Sequence, residues 1–158
     1  MNITLAAVGK FKKGEPEQEM TLDYLARAQV VGRNLGLSPI VLHEIDTKNA
    51  APNPLHEAKL FLDLIPSNAF LIALDETGQN LGSVELSEKI AAKRDIGTKN
   101  LFFALGGADG HGAMLKNRAD FCLSFGKLTW PHKLCRVMAA EQIYRAVSII
   151  AGTPYHRE

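Results

Sequence analysis

The sequence predicts an α/β fold, a mostly parallel sheet sandwiched by helices. Three observations point to it. Short apolar runs alternate with helical patterns along the whole chain. The runs at 69–74 and 100–105 are apolar almost throughout, as strands covered on both faces are. No internal repeat, low-complexity tract or long Gly/Ser linker interrupts the alternation, so one domain over residues 1–158 is expected.

The elements follow in order. Residues 2–8 read as a buried strand ended by Gly9, and 10–16 as a loop broken by Gly14 and Pro16. Residues 17–34 read as a helix, with Met20, Tyr24, Ala28 and Val31 at helical spacing and Gly36 beyond its end. Residues 39–45 are apolar and β-branched, hence a strand. The polar stretch 46–54, with Pro52 and Pro54, is loop, and 55–64 is a short helix bounded by Pro66. A strand at 69–74, a turn-rich loop at 75–81 and a helix at 83–93 come next. The strand at 100–105 runs straight into Gly106-Gly-Ala-Asp-Gly110, followed by a short helix at 113–117 and a short strand at 120–124. The longest helix, 133–151, carries Leu134, Val137, Met138, Ile143, Val147 and Ile150 on more than one stripe, so it needs two packing partners, such as its own sheet and a second subunit.

Composition narrows the function classes. With 46% apolar and 22% charged residues among 158, the chain is long enough to bury a core without disulfides, and disorder is excluded as the main state. Two cysteines, Cys122 and Cys135, are too few for a disulfide scaffold and suit a reducing, cytoplasmic setting. No stretch approaches a membrane span, and the basic residues near the N-terminus follow the apolar run, the wrong polarity for a signal peptide. The net charge of +1 argues against binding nucleic acid by bulk electrostatics. The charge is uneven, however: residues 1–115 balance to −3 and residues 116–158 to +4.

Ligands of open parallel sheets bind beyond the carboxyl ends of the strands. Three segments lie there: Leu74-Asp75-Glu76, Leu105-Gly106-Gly107 and Leu123-Ser124-Phe125. Gly106-Gly-Ala-Asp-Gly110 is neither a dinucleotide fingerprint nor a Walker A loop, and taken alone it reads as a plain strand-to-helix turn sooner than as a ligand loop. Asp75 and Glu76 are adjacent and point apart on extended backbone, which disfavours a paired acid and base and makes Asp75 a loop or cap residue. His43, His56, His111, His132 and His156 lack metal-ligand spacing, so no metal site is expected. No G-x-S-x-G elbow is present. The ten residues Leu123-Ser-Phe-Gly-Lys-Leu-Thr-Trp-Pro-His132 mix apolar and polar character and suit a flat apolar slot lined by backbone groups, the kind an adenine ring fills. Thr129 or His132 with Pro131 also suits a helix start. On composition alone the tail reads as a frayed polar end; it also concentrates Tyr155, His156 and Arg157, which can stack on a base, exchange a proton and hold a phosphate.

These segments occur in a characteristic order. Leu5-Ala-Ala-Val-Gly-Lys10, Phe102-Phe-Ala-Leu-Gly-Gly-Ala-Asp-Gly110, Leu123-Ser-Phe-Gly-Lys-Leu-Thr-Trp-Pro-His132, Arg136-Val-Met-Ala-Ala-Glu-Gln-Ile-Tyr-Arg-Ala146 and Pro154-Tyr-His-Arg157 together resemble the ribosomal RNA large subunit methyltransferase H family of the SPOUT (α/β-knot) methyltransferases. The resemblance spans essentially the whole chain and is most specific after residue 100.

The resemblance implies a C-terminal trefoil knot, an exception to the general absence of knots. It implies a homodimer that transfers a methyl group from S-adenosylmethionine to N3 of a pseudouridine in 23S ribosomal RNA on assembled ribosomes, leaving S-adenosylhomocysteine. The cofactor contacts would be Leu74, Gly106, Phe125, Gly126, Lys127, Leu128, Thr129 and Trp130. The substrate-binding residues would be His132, Arg136 and Tyr155, with Arg136 on a phosphate or at the subunit interface. His156 and Arg157 would be catalytic, as a general base and as a cation favouring the ionised base. A non-catalytic ribosome-binding factor of the same fold is the alternative. The chain departs from the family pattern at Ala108-Asp109, at Gly126 and at Trp130, which bears on pocket shape.

Overall fold

The computed structural model describes residues 1–47, 53–107 and 110–157. Five strands, β1 (Asn2–Val8), β2 (Ile40–Ile45), β3 (Phe70–Gln79), β4 (Asn100–Leu105) and β5 (Phe121–Leu123), form one sheet in the order β2-β1-β4-β3-β5. Every pairing is parallel. The helices are α1 (Pro16–Gly32), α2 (Pro54–Leu64), α3 (Ser83–Asp95), α4 (Ala113–Arg118) and α5 (His132–Ile150), with a 3-10 turn at Arg33–Leu35.

Side chains alternate across each strand, so an apolar strand feeds two cores. Ile3, Leu5, Ile72, Leu101 and Phe103 pack with Leu25 and Ala28 of α1, Leu86 and Ile90 of α3, and Ala139, Ala140 and Ile143 of α5. On the other face Ala6, Val8, Leu71, Phe102 and Ala104 pack with Ala58 and Phe61 of α2 and Leu115 of α4. The long helix α5 lies against α1, α3 and the sheet strands β1 and β4, so its several apolar stripes find partners within the chain. Leu134, near its start, remains 38% exposed.

The register brings the carboxyl ends of the strands to a common edge. Leu105 pairs with Ala7 on one side and with Leu74 on the other, and Leu74 pairs in turn with Leu123.

Three details differ from the sequence expectations. First, β3 does not stop at Leu74: it runs on to Gln79 through residues expected to be loop. A register shift after Leu74 lets Gln79 pair with Leu123, and the Ser124 amide donates to the Gln79 carbonyl at 2.8 Å. A Cβ on Gly78 would lie 2.7 Å from the Cys122 backbone, so only glycine lets the two chains approach this closely. The pairings of Leu74 and Gln79 on either side of the shift carry the strand through Asp75, Glu76 and Gly78 despite their low β-propensity. Second, the buried stripe of α1 is Thr21, Leu25, Ala28 and Gly32, while Met20 is 48% exposed. Third, α1 ends at Gly32, where any Cβ would lie 2.3 Å from the Leu37 carbonyl oxygen of the returning chain. Residues 48–52 of the expected 46–54 loop, and the Ala108-Asp109 departure, lie outside the described residues.

Phe61 is fully buried between α2 and the sheet. Truncating it leaves a cavity, so Phe61→Ala is expected to lower unfolding free energy by about 3–5 kcal/mol, read from urea denaturation.

Candidate active site

At the carboxyl edge of β3, β4 and β5 lies a cavity of about 540 Å³. Its walls are the three strand ends and the loop leading to α5. Leu74, Asp75 and Glu76 come from β3, and Leu105, Gly106 and Gly107 from the end of β4. Leu123, Phe125, Gly126, Leu128, Thr129 and Trp130 come from the β5 end and the loop, and His132 and Cys135 from α5. The size lies in the range of small-molecule sites, which run roughly 300–1,000 Å³. Leu128 is 70% exposed and Trp130 37%, so apolar surface rims the open side.

The loop is held by a serine. Ser124 Oγ donates to carbonyls of Glu76 (3.2 Å) and Gly126 (3.1 Å) as alternatives and accepts from the Gly126 amide (3.1 Å). Asn80 Nδ2 donates to the Ser124 carbonyl at 3.1 Å. Gly126 has φ +108°, a backbone conformation that a side chain strains, which accounts for glycine at this departure from the family pattern.

The glycine turn is equally constrained. A Cβ on Gly106 would lie 2.9 Å from the Gly110 backbone and 3.1 Å from His111 Nδ1. The Gly110 amide closes on the Gly107 carbonyl at 3.1 Å. His111 is buried, with its Nε2 3.0 Å from the Ala104 carbonyl and its ring edge-on to Phe61. Burial pushes the His111 pKa down, more than the Ala104 carbonyl and Asp75 raise it. Asp75 pairs with Lys116 at 2.6 Å, and its Oδ1 accepts from the Thr77 amide at 3.0 Å. Burial would raise the Asp75 carboxyl, but the bonds from Lys116 and Thr77 outweigh it and hold the group below its ordinary value.

His132 is strongly perturbed. Burial, reinforced by the Arg136 guanidinium, pushes its pKa down to about 4, against the Gly106 backbone, which raises it. The ring is therefore neutral at pH 7. Arg136 Nη2, which can only donate, lies 3.4 Å from His132 Nδ1, so Nδ1 accepts and Nε2 carries the proton. That Nε2 is buried without a hydrogen-bond partner among the described residues. Burial raises the Cys135 thiol, which keeps it protonated.

Of the expected cofactor residues, all but Lys127 line this cavity; Lys127 is exposed. The expected substrate and catalytic residues divide. His132 lines the cavity. Arg136 is 1% exposed, which corrects the expectation of a contact to a phosphate or at the subunit interface: it bonds the Val8 carbonyl, meets Glu44 at 3.2 Å and stacks on Phe11. Burying a guanidinium is tolerable only with such partners. Tyr155, His156 and Arg157 line neither this cavity nor its neighbour.

The tail folds back on α5. Tyr155 Oη donates to Glu141 Oε1 at 3.0 Å, and its ring lies 4.4 Å from that of Tyr144. Burial, then the bond to Glu141, raises the Tyr155 hydroxyl. Arg145 covers the Tyr155 ring, binds Glu141 and reaches His156 Nδ1 at 3.3 Å. Glu141 also lines a second cavity, of about 450 Å³, with Tyr24, Asn80, Ser83 and Gln142, which shares Leu123 and Phe125 with the first. The tail is thus anchored beside a neighbour of the main cavity.

Sequence reasoning placed Asp75, Glu76 and Gly107 in the strand-end segments without giving them a role, and it missed Gly110, His111, Lys116 and Cys135 as cavity residues. Asp75 and Glu76 stand directly after an apolar strand run, where the strand-end rule points. Lys116 left no signal, because α4 brings it to the cavity from outside any motif.

The comparisons with known proteins bear on this geometry. A family model described as "Predicted SPOUT methyltransferase" matches residues 1–156. This chain belongs to the SPOUT methyltransferases. A family member from Paracoccus denitrificans, named ribosomal RNA large subunit methyltransferase H, is 47% identical over 158 residues, covering 100% of both chains. Relatives of the same name from Ruegeria pomeroyi and Rhodopseudomonas palustris are 45% and 42% identical over 99% of each chain. The family uses S-adenosylmethionine, and the cavity residues fit that group. Gly106 and Gly107 expose backbone without side chains, Leu74, Leu105 and Phe125 offer an apolar slot, and the Nε2 proton of His132 lacks a partner.

The depressed pKa of His132 has a consequence for stability. The unfolded chain takes up a proton below about 6.5 that folded His132 refuses until about 4. Stability is therefore full above that window and falls as pH drops through it, with His111 acting in the same direction. Urea midpoints measured between pH 4 and 7 are expected to rise with pH, and His132→Gln to flatten the slope.

Proposed function

We propose that this chain methylates N3 of a pseudouridine in 23S ribosomal RNA on assembled ribosomes, with S-adenosylmethionine as donor. The observation that carries this reading is the cavity at the strand ends, which gathers Leu74, Gly106 and the loop residues 125–130 apart from Lys127. Support for the RNA comes from full-length relatives named ribosomal RNA large subunit methyltransferases. The +4 balance of residues 116–158 agrees with an RNA substrate met through local basic surface.

S-adenosylmethionine supplies, when bound, a methyl group made electrophilic by a sulfonium. Leu74, Gly106, Phe125, Gly126, Leu128, Thr129 and Trp130 hold it through backbone groups and apolar surface. The acceptor N3–H is an imide, a poor nucleophile until its proton leaves. The protein's tasks are alignment and proton removal, and alignment alone recovers roughly 7–11 kcal/mol in well-oriented systems. His156 takes the proton, Arg157 favours the ionised base, and Tyr155 stacks beside it. Glu141 and Arg145 anchor Tyr155 and His156.

The working form is a homodimer. The exposed apolar surface of Leu128 and Trp130 at the cavity rim supports this, as does that of Leu134 on α5 and of Met20 and Val30 on α1. The same reading has the chain after β5 threaded as the trefoil knot. It is supported by β5 lying at one sheet edge while α5 returns across α1 and the central strands. No described helix is long and apolar enough to cross a membrane, and no cluster of metal-ligating side chains occurs among the described residues. A cytoplasmic setting accompanies a ribosomal substrate.

Ribosomes lacking the modification, incubated with the protein and methyl-deuterated donor, are expected to carry label on one 23S pseudouridine by mass spectrometry. Unlabelled RNA, from protein that binds the donor, would refute the substrate assignment. His156→Ala and Arg157→Ala are expected to slow transfer by about 10²–10⁴-fold with donor affinity retained. Wild-type rates in either variant would remove that residue from the chemistry.

A further inference from the structure

Beneath the glycine turn sits a carboxylate that the proposed chemistry does not use. Glu57, in the first turn of α2, is only 6% exposed, and its Oε2 accepts from the Gly107 amide at 3.0 Å. The contact is close on the carbon side too, since a Cβ on Gly107 would lie 2.8 Å from Oε1 and 2.9 Å from Oε2. Burying a carboxylate without bonding it costs several kcal/mol, so its place is fixed by what it bonds.

The helix that carries Glu57 is itself fixed. Asn53 Oδ1 accepts from the amides of Leu55 and His56 at 3.1 Å each, capping α2. The Asn53 carbonyl accepts from the Glu57 amide at 2.9 Å. One turn further on, Phe61 meets the His111 ring, with centroids 5.7 Å apart. Residues four apart share a helix face. One face of α2 therefore grips the glycine turn at both ends, Gly107 through Glu57 and His111 through Phe61. Gly106, Gly107, Gly110 and His111 all line the cavity, whereas Glu57 does not.

We infer that Glu57 is a positioning residue for the methyl donor: its carboxylate fixes the Gly107 amide and so sets the shape of the Gly106–Gly107 wall. The inference rests on the reading of this cavity as the donor site. A wall built from two glycines has no side chains to hold it in shape, and the bond from α2 supplies that restraint. Losing it misplaces the donor without touching the groups that handle the acceptor.

The test is donor binding by calorimetry and steady-state kinetics on the full chain, with S-adenosylmethionine as the probe. Glu57→Ala is expected to raise the donor Kd and KM by about 10-fold or more while kcat at saturating donor stays within about 2-fold. Glu57→Gln, which keeps an acceptor oxygen at the same reach, is expected to restore binding to within about 3-fold of wild type. Gly107→Ala drives a methyl into the carboxylate and is expected to weaken the donor in its own right, should Glu57→Ala not fold. Combined with Glu57→Ala it should add nothing further. Glu57→Ala with unchanged donor affinity, equal losses in the Ala and Gln variants, or full additivity of the pair would overturn the inference. Wild-type protein that ignores the donor would instead overturn the donor-site reading, and this inference with it.

Discussion

Parallel pairing with both faces covered is the constraint from which the rest follows. Strands such as β1 and β4 spend nearly every side chain on one of the two cores, so they have none left for chemistry. Polar function is displaced to the backbone just past the strands. The pairings of Leu105 with Leu74, and of Leu74 with Leu123, set three such chain ends side by side, and the cavity is the space they leave. Arg136 ties the same edge to the helical layer: from α5 it bonds the last residue of β1, Val8, and meets Glu44 of β2.

The cavity wall offers shape and dipoles more than net charge. Lys116 is paired with Asp75, His132 is held neutral by burial, and Cys135 stays a thiol. A donor carrying a sulfonium meets no unpaired cation among the cavity-lining groups described, and an ionised Asp75 stands nearby. On the proposed reading, the cations Arg145 of α5 and Arg157 of the tail belong instead to the region that the acceptor would enter. That separation suits a reaction in which a positive methyl donor approaches a base made anionic by loss of a proton.

Much of the fold was legible in the sequence because runs such as 69–74 and 100–105 are too apolar to lie anywhere but inside. The extension of β3 was not, since it rests on Gln79 pairing with Leu123 across a register shift, an approach that Gly78 permits. Most of the cavity was legible from the strand-end rule together with the ordered motifs around Gly106 and residues 123–132. Arg136 was misread because a basic residue in a helix looks like surface until the β1 carbonyl and Glu44 are seen around it. Glu57 gave no signal at all: it lies 50 residues from the amide it holds, in a helix with no motif. Contacts of that kind arise only when layers pack.

The central claim, that the strand-end cavity receives the methyl donor, is tested most directly by titrating isotopically labelled protein with S-adenosylmethionine and following backbone amide resonances. The account predicts saturable shifts concentrated at Asp75, Gly106, Gly107 and residues 125–130. Shifts centred instead on the Tyr24, Asn80 and Gln142 cavity, or no shifts in well-folded protein, would contradict it.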